Sequence, residues 1–332
     1  MPSLLITGGG GFIGSALTEY LLDQGLDIVI LDNRDDPKNS RKIMERIDYI
    51  NGDIRDRQKL KEIFDLYEIH GIVHLAAVSR VVTAQEDPNL TIDVNIEGTR
   101  NILDAVKEMD AHPWIIYGSS REVYGECGSS PVKESDPKLP INVYGRSKLE
   151  SEMMVERYSK EMGLKSCSLR FSNVYGNKND ILDRVIPRFI ISALTDEPLE
   201  IHGGNQVFDF THIEDTIDCI RRCMKYVESK GNGSDGYFYD VFHVVNGKGI
   251  TLQELAGIIS RKMDKELEIV YTDPRNYDVE RFTGDPSKAM DLLGFKARTS
   301  VNDGVTSTVD LYRKLIAERG KHSLARDEVD ET

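Results

Sequence analysis

The 332-residue chain holds one tryptophan, four cysteines and eleven prolines. The cysteines, Cys127, Cys167, Cys219 and Cys223, form no C-x-x-C pair and no spacing that suits zinc. Cys219 and Cys223 fall one turn apart on an expected helix, which predicts buried reduced thiols and no metal site. No apolar run reaches bilayer-spanning length, and the opening "MPSLLITGGG" meets glycine before a secretory apolar segment could form. These absences predict no membrane partner and a cytoplasmic location. Positive charge is in deficit: 42 Lys and Arg against 56 Asp and Glu give a net charge of −14, which opposes binding to nucleic acid. What is present, 39% hydrophobic and 30% charged residues, can fill a core and wet a surface in one large or two modest domains.

Short β-branched runs alternate with amphipathic stretches from the start. In order they are "SLLIT", a helix from Phe12 to Leu22, "DIVIL", "IDYIN", a helix near Gln58 to Tyr67, "GIVHLAA", a helix near Leu90 to Lys107, and "PWIIYGSS". Apolar strands separated by helices predict βαβ units and a parallel sheet buried on both faces. Right-handed crossovers make this an α/β, doubly wound Rossmann fold. A long helix from Val143 to Met162 leads into "CSLRFSNVYG", read as a sixth strand. Past Gly176 the pattern turns irregular, with "DEPLEIHGGNQVFDF" as short strands and loops, then helices from Thr216 to Glu228, Thr251 to Met263 and Val305 to Glu318. The expected division is a first domain at 1–175 with a returning segment at about 207–246, a second, smaller α/β lobe at 176–206 and 247–320, and a polar tail at 321–332.

"LLITGGGGFIGSAL" sets Gly8, Gly9, Gly10, Gly11 and Gly14 between a strand and a helix. The run fits both G-x-G-x-x-G and G-x-x-G-x-x-G. Glycine is required where a side chain would hold a pyrophosphate away from the backbone amides and the positive helix N-terminus. An acidic residue about 20 positions on, Asp32, completes a dinucleotide-binding context: its carboxylate can accept both adenosine ribose hydroxyls and repel a 2′-phosphate. NAD is thus favoured over NADP, although Arg34 could hold such a phosphate. Asp53 ends the third strand, where it could reach the adenine edge or cap the next helix.

"VYGRSKLESE" puts Tyr144 and Lys148 four apart on one helix face. A phenol of ordinary pKa is only about one part in a thousand ionised at pH 7. A lysine ammonium at ~5 Å would favour the phenolate by ~3 kcal/mol at an effective dielectric near 20. Tyr144 is then a candidate general base toward an alcohol, with Lys148 lowering its pKa and binding the nicotinamide ribose.

With these stretches in place, the chain resembles the extended short-chain dehydrogenase/reductases, in particular the NAD-dependent nucleotide-sugar epimerases and dehydratases. The resemblance rests on "TGGGGFIG", "LDN", "GDIRD", "HLAAVSRV", "DPNLTIDVNIEGTRNIL", "SSREVYGE", "YGRSK", "LRFSNVYG", "DFTHIEDT" and "DPSKAMDLLGF", in that order from about residue 4 to residue 297. It implies a cofactor site including Gly8, Gly11, Phe12, Ile13, Gly14, Asp32, Asn33, Asp53, Ile54, Leu75, Ala76, Ala77, Tyr144 and Lys148. Asn95 would support the active-site helix, and Ser120 would donate to the hydroxyl being oxidised. It further implies a nucleotide-sugar substrate contacted by Ser79, Arg80, Asn173, Arg188 and Arg275, and a homodimer. Where many relatives carry a phosphate-binding arginine this chain has Phe208, a contact that Arg184 or Arg188 could replace. His74, His202 and His212 read as structural.

Glu122 decides between chemistries. Members of this family share oxidation of a sugar C4 hydroxyl to a 4-keto sugar. A 4-epimerase needs no further acid or base, whereas a 4,6-dehydratase or a decarboxylase carries glutamate at this position. In an extended segment Ser120 and Glu122 would point the same way. Arg121, a poor proton donor, stands where dehydratases place an acidic or hydroxyl residue, and it could pair with Glu122 and keep it ionised. The expected activity is a 4-epimerase. A 4,6-dehydratase, a decarboxylase and a 4-dehydrogenase are the alternatives, while a non-catalytic NAD sensor would not need the Tyr144, Lys148 and Ser120 set.

Overall fold

A computed structural model describes residues 3–35, 37–110, 112–127, 131–231 and 236–319; the expected polar tail lies outside them. The described residues form twelve strands: β1 (Ser3–Thr7), β2 (Ile28–Asp32), β3 (Asp48–Asn51), β4 (Ile69–His74), β5 (Trp114–Ser120), β6 (Lys165–Phe171), β7 (Asn173–Tyr175), β8 (Leu199–His202), β9 (Val207–His212), β10 (Phe238–Val244), β11 (Gly249–Thr251) and β12 (Ile269–Thr272). Seven form one parallel sheet in the order β10-β6-β5-β4-β1-β2-β3. Every residue of β1, β2 and β5 is buried, which is why these strands read as unbroken apolar runs. Two cores sandwich the sheet. Leu4, Ile6, Ile30 and Ile116 face one, and Leu5, Val29, Leu31 and Ile115 face the other.

The chain winds outward from β1 to β3, then returns to β4 on the other side of β1. That reversal leaves a crevice beyond the carboxyl ends of β1 and β4, the place where open α/β sheets bind ligands. A third core, holding Phe189, Leu199, Phe210, Leu255 and Val305, belongs to the smaller lobe around the β11-β9-β7 and β12-β8 sheets.

Three departures from the expected elements have local causes. "CSLRFSNVYG" is not one strand: β6 ends at Phe171 and β7 starts a different sheet at Asn173. The Ser172 N–H donates to Val244 and its hydroxyl to the Asp209 carbonyl, so the backbone changes partners there. The stretch after Leu90 is no single α-helix but a short Pro88–Ile92 helix, a π-helical Asp93–Gly98 segment and a Thr99–Lys107 α-helix. Residues 287–293, which the expected division places in the second lobe, form a helix that sends Ala289 and Leu293 into the first core beside Phe295.

Candidate active site

The turn between β1 and the Phe12–Asp23 helix is shaped by two close approaches. Gly8 has φ of +73°, and a Cβ there would stand 2.6 Å from the Ala76 nitrogen. A Cβ on Gly14 would stand 2.1 Å from the Gly8 carbonyl oxygen. Glycine at both lets the loop fold flat, and Gly11, the N-cap, brings no side chain over the first amides of the helix. The result is a bare, positively polarised helix end, suited to a pyrophosphate. The Asp32 carboxylate stands at its rim, accepting from the Gly10 N–H at 2.9 Å and the Arg34 N–H at 3.0 Å. Asp53 does not cap the following helix; Asp56 does, accepting from the Lys59 N–H, while Asp53 pairs with Arg55 at 2.7 Å and is held below its usual pKa by that hydrogen bond. Glycine cradle, bare helix end and carboxylate together fit a dinucleotide.

One cleft of about 640 Å³ is lined by every residue that the sequence singles out as a cofactor, catalytic or substrate contact. Across it from the glycine turn lies the Val143–Met162 helix, which Asn142 caps by accepting from the Gly145 N–H at 2.7 Å. Tyr144 and Lys148 emerge from its first turns on one face, both buried. Lys148 Nζ donates to the Gly118 carbonyl at 2.9 Å and lies 5.9 Å from the centre of the Tyr144 ring. Asn95 supports the helix as expected, donating to Ser147 Oγ at 2.9 Å while its own carbonyl accepts from the Val78 N–H.

The electrostatics differ from the expectation that Lys148 lowers the phenol pKa. Burial pushes Tyr144 up to about 12, opposed by a hydrogen bond with Ser120 and by the charges of Arg184 and Arg121. Burial also pushes Lys148 down to about 7, so its ammonium is less secure near neutrality than that of an exposed lysine. An occluded lysine is a weaker source of positive charge than its sequence spacing implies.

Glu122 is engaged on both sides. The chain leaves β5 through a 3-10 turn, Arg121–Val123, so strand alternation is lost after Ser120. One Glu122 oxygen pairs with Arg121 Nη2 at 2.8 Å and the other accepts from Asn142 Nδ2 at 2.9 Å. A Cβ on Gly145 would stand 2.4 Å from the Glu122 carbonyl oxygen, so the helix start packs directly on this turn. Arg121 lies over the rings of Phe208 and Phe282, with centroid distances of 5.0 and 5.7 Å. Phe208, at the position where the resemblance places an arginine in many relatives, thus supports a neighbouring arginine.

Among the residues expected to contact a substrate, Asn173 Nδ2 reaches the Asp209 carbonyl at 3.5 Å, Arg188 donates to the Glu200 carbonyl at 2.9 Å, and Arg275 pairs with Asp278 at 2.7 Å. Arg80 pairs with Asp183. Two of these partners were missed in the sequence. Asn142 was findable from its N-cap position before "VYG"; Asp183, distant in sequence from Arg80, left no local signal. The histidines have structural partners. Buried His74 contacts the hydroxyls of Thr7 and Thr99 and is pushed down to about 3, mainly by burial; His202 Nδ1 contacts Thr272, and His212 caps the Ile213–Ser229 helix. Among the described residues no group of His, Cys, Asp and Glu could hold a metal, and no helix is long and apolar enough to cross a membrane.

Comparison with known proteins adds three likenesses and a family. The sequence profile of the family described as GDP-mannose 4,6 dehydratase matches residues 5–308. The UDP-glucose 4-epimerase of Lacticaseibacillus casei is 30% identical over 323 residues, covering 92% of this chain and 95% of that one. The structure of the Thermotoga maritima UDP-glucose 4-epimerase with UDP-glucose superposes with a TM-score of 0.86 at 29% identity, covering 95% of this chain and 99% of that one. The Bacillus cereus UDP-glucuronic acid 4-epimerase, in complex with UDP-glucuronic acid and NAD, gives a TM-score of 0.83 at 27% identity, covering 94% and 99%.

Proposed function

The chain belongs to the family described as GDP-mannose 4,6 dehydratase, within the nucleotide-sugar epimerases and dehydratases that its motifs resemble, and on that premise we propose that it is an NAD-dependent 4-epimerase of a UDP-sugar. The observation that carries this reading is Glu122. The carboxylate that a dehydration or decarboxylation would recruit has its two oxygens taken by Arg121 and Asn142, while Ser120, Tyr144 and Lys148 line the cleft beside the dinucleotide cradle.

The glycine turn and helix end would hold the pyrophosphate of NAD, Asp32 its adenosine ribose, and Lys148 its nicotinamide ribose. Bound there, NAD supplies a two-electron oxidant that takes the C4 hydrogen with its electrons and later returns it. Tyr144 as phenolate accepts the C4 hydroxyl proton while the C4–H bond breaks, which leaves a 4-keto sugar. Ser120 holds the C4 oxygen. The phenol then returns its proton to that oxygen after the sugar has turned its other face, so the configuration at C4 is inverted with no net redox change. Stabilising the phenolate falls to Ser120, Arg184 and Arg121, together with the fraction of Lys148 that is charged.

The proposal extends to Asn173, Arg188 and Arg275 as contacts to the nucleotide diphosphate, to a homodimer using the neighbouring Thr99–Lys107 and Val143–Met162 helices, where Met153 is exposed, and to a cytoplasmic location. Proton NMR of the purified, NAD-loaded protein with UDP-glucose and UDP-glucuronate tests the activity. Appearance of the galacto epimer is the expected result. A 6-deoxy-4-keto sugar would assign a dehydratase, and a pentose a decarboxylase.

A further inference from the structure

Between Gly176 and the Val185–Thr195 helix the chain runs through eight residues without regular structure, 177–184, tied down at both ends to the first domain. At one end Asn179 Nδ2 donates to Ser15 Oγ at 3.1 Å and to the Lys38 carbonyl at 3.0 Å, while Lys38 Nζ donates back to the Asn179 carbonyl at 3.1 Å. Ser15 lies on the helix that follows the glycine turn, and Lys38 in the loop beyond Asp32, so this anchor stands on the adenosine side. At the other end Asp183 pairs with Arg80, which follows Ala76 and Ala77 on the nicotinamide side. Between the anchors the Arg184 guanidinium lies 5.9 Å from the ring of Phe12, the first residue of the helix whose N-terminus faces the pyrophosphate position. Lys38, Arg80, Asp183 and Arg184 all line the cleft.

We propose that segment 177–184 is a strap across the dinucleotide cleft, latched by the Asn179 bonds and the Arg80–Asp183 ion pair, that must unfasten for NAD to enter or leave. This rests on the reading of the cleft as an NAD site. The strap's ends are fixed differently. Gly176 has φ of +118°, and a Cβ there would stand 2.4 Å from the His212 ring, so the N-terminal root is rigid. The two latches join the strap to separate loops, and opening either frees one bank of the cleft. Such a gate slows passage in both directions without entering the chemistry.

The test uses Asp183→Asn and Asn179→Ala, one at each latch. NAD release from the loaded protein is followed by trapping free NAD with a coupled dehydrogenase, and NAD uptake by the apo protein by quenching of Trp114 or tyrosine fluorescence. Each variant should raise both the release and the uptake rate, by roughly fivefold to tenfold for loss of one partly buried polar latch. The equilibrium affinity should then change much less than either rate. Faster release with unchanged uptake would make these residues mere binding contacts, and rates within twofold of wild type in both variants would overturn the strap. Thermal melts identify a variant that fails to fold, and the other latch then gives the result. Wild-type protein that takes up no NAD would overturn the cofactor reading itself, along with the strap.

Discussion

Tyr144→Phe removes one oxygen from a side chain that stays buried, so the cleft keeps its shape while losing the proposed proton acceptor. Turnover should fall by about two to four orders of magnitude with NAD still bound; normal turnover would take Tyr144 out of the mechanism. Lys148 gives a prediction of opposite character, about stability. Its folded pKa of about 7 lies below the ordinary 10.5, so between those values the unfolded chain holds a proton that the folded chain has released. Stability of the cofactor-free protein should therefore rise with pH across that window. Lys148→Met lacks this dependence: it should melt above wild type at pH 7, with the gap closing toward pH 10. A gap independent of pH would mean that Lys148 is not held neutral. At this scale the sequence was legible where chemistry is local. The glycine turn, Asp32 and the Tyr144 and Lys148 spacing were readable because each depends on a strand end or one helix turn. What burial does to Tyr144 and Lys148 was not, since desolvation is set by residues from distant strands.

The Val143–Met162 helix shows how one element sets the site. Its N-cap, Asn142, also donates to Glu122 and to the Tyr277 carbonyl, so one side chain fixes the helix start, the acidic residue and a loop of the smaller lobe. Asn142→Ala should cost about 1 kcal/mol for the lost cap, a drop of a few degrees in melting temperature. Turnover should fall further than a stability change of that size explains, because Tyr144 sits in the first turn. Unchanged turnover in a folded variant would separate the cap from the site. Periodicity in the sequence marks this helix and most others, because each buries an apolar stripe against the sheet. It could not mark the π-helical Asp93–Gly98 segment, where Asn95 must face both Val78 and Ser147. Nor could it mark the break at Ser172, because strands buried in two adjoining sheets read as one apolar run.

Across the whole molecule a buried ion pair joins the layers. Arg170 on β6 holds Glu152 of the long helix at 2.5 Å and donates to the Glu134 carbonyl, while Glu152 also accepts from Ser119 at 2.8 Å. Arg170→Met leaves that carboxylate buried without its cation and should cost ~3–5 kcal/mol in urea unfolding, whereas the double variant Arg170→Met, Glu152→Met should recover much of the loss. A loss of similar size in the double variant would show that packing, not charge, is at stake. The doubly wound order was legible at this scale from the alternation of strands and helices. The Ser287–Leu293 helix joins the first core through contacts distant in sequence, such as that of Arg222 with the Leu293 carbonyl, 71 positions apart, which no local pattern marks. The central claim is that Tyr144 moves the only proton and Glu122 none. It is tested most directly by running the reaction on UDP-glucose in deuterium oxide and reading the recovered sugar by NMR. The account predicts a 4-epimer with protium retained at both C4 and C5, and deuterium appearing at C5 or C6 would contradict it.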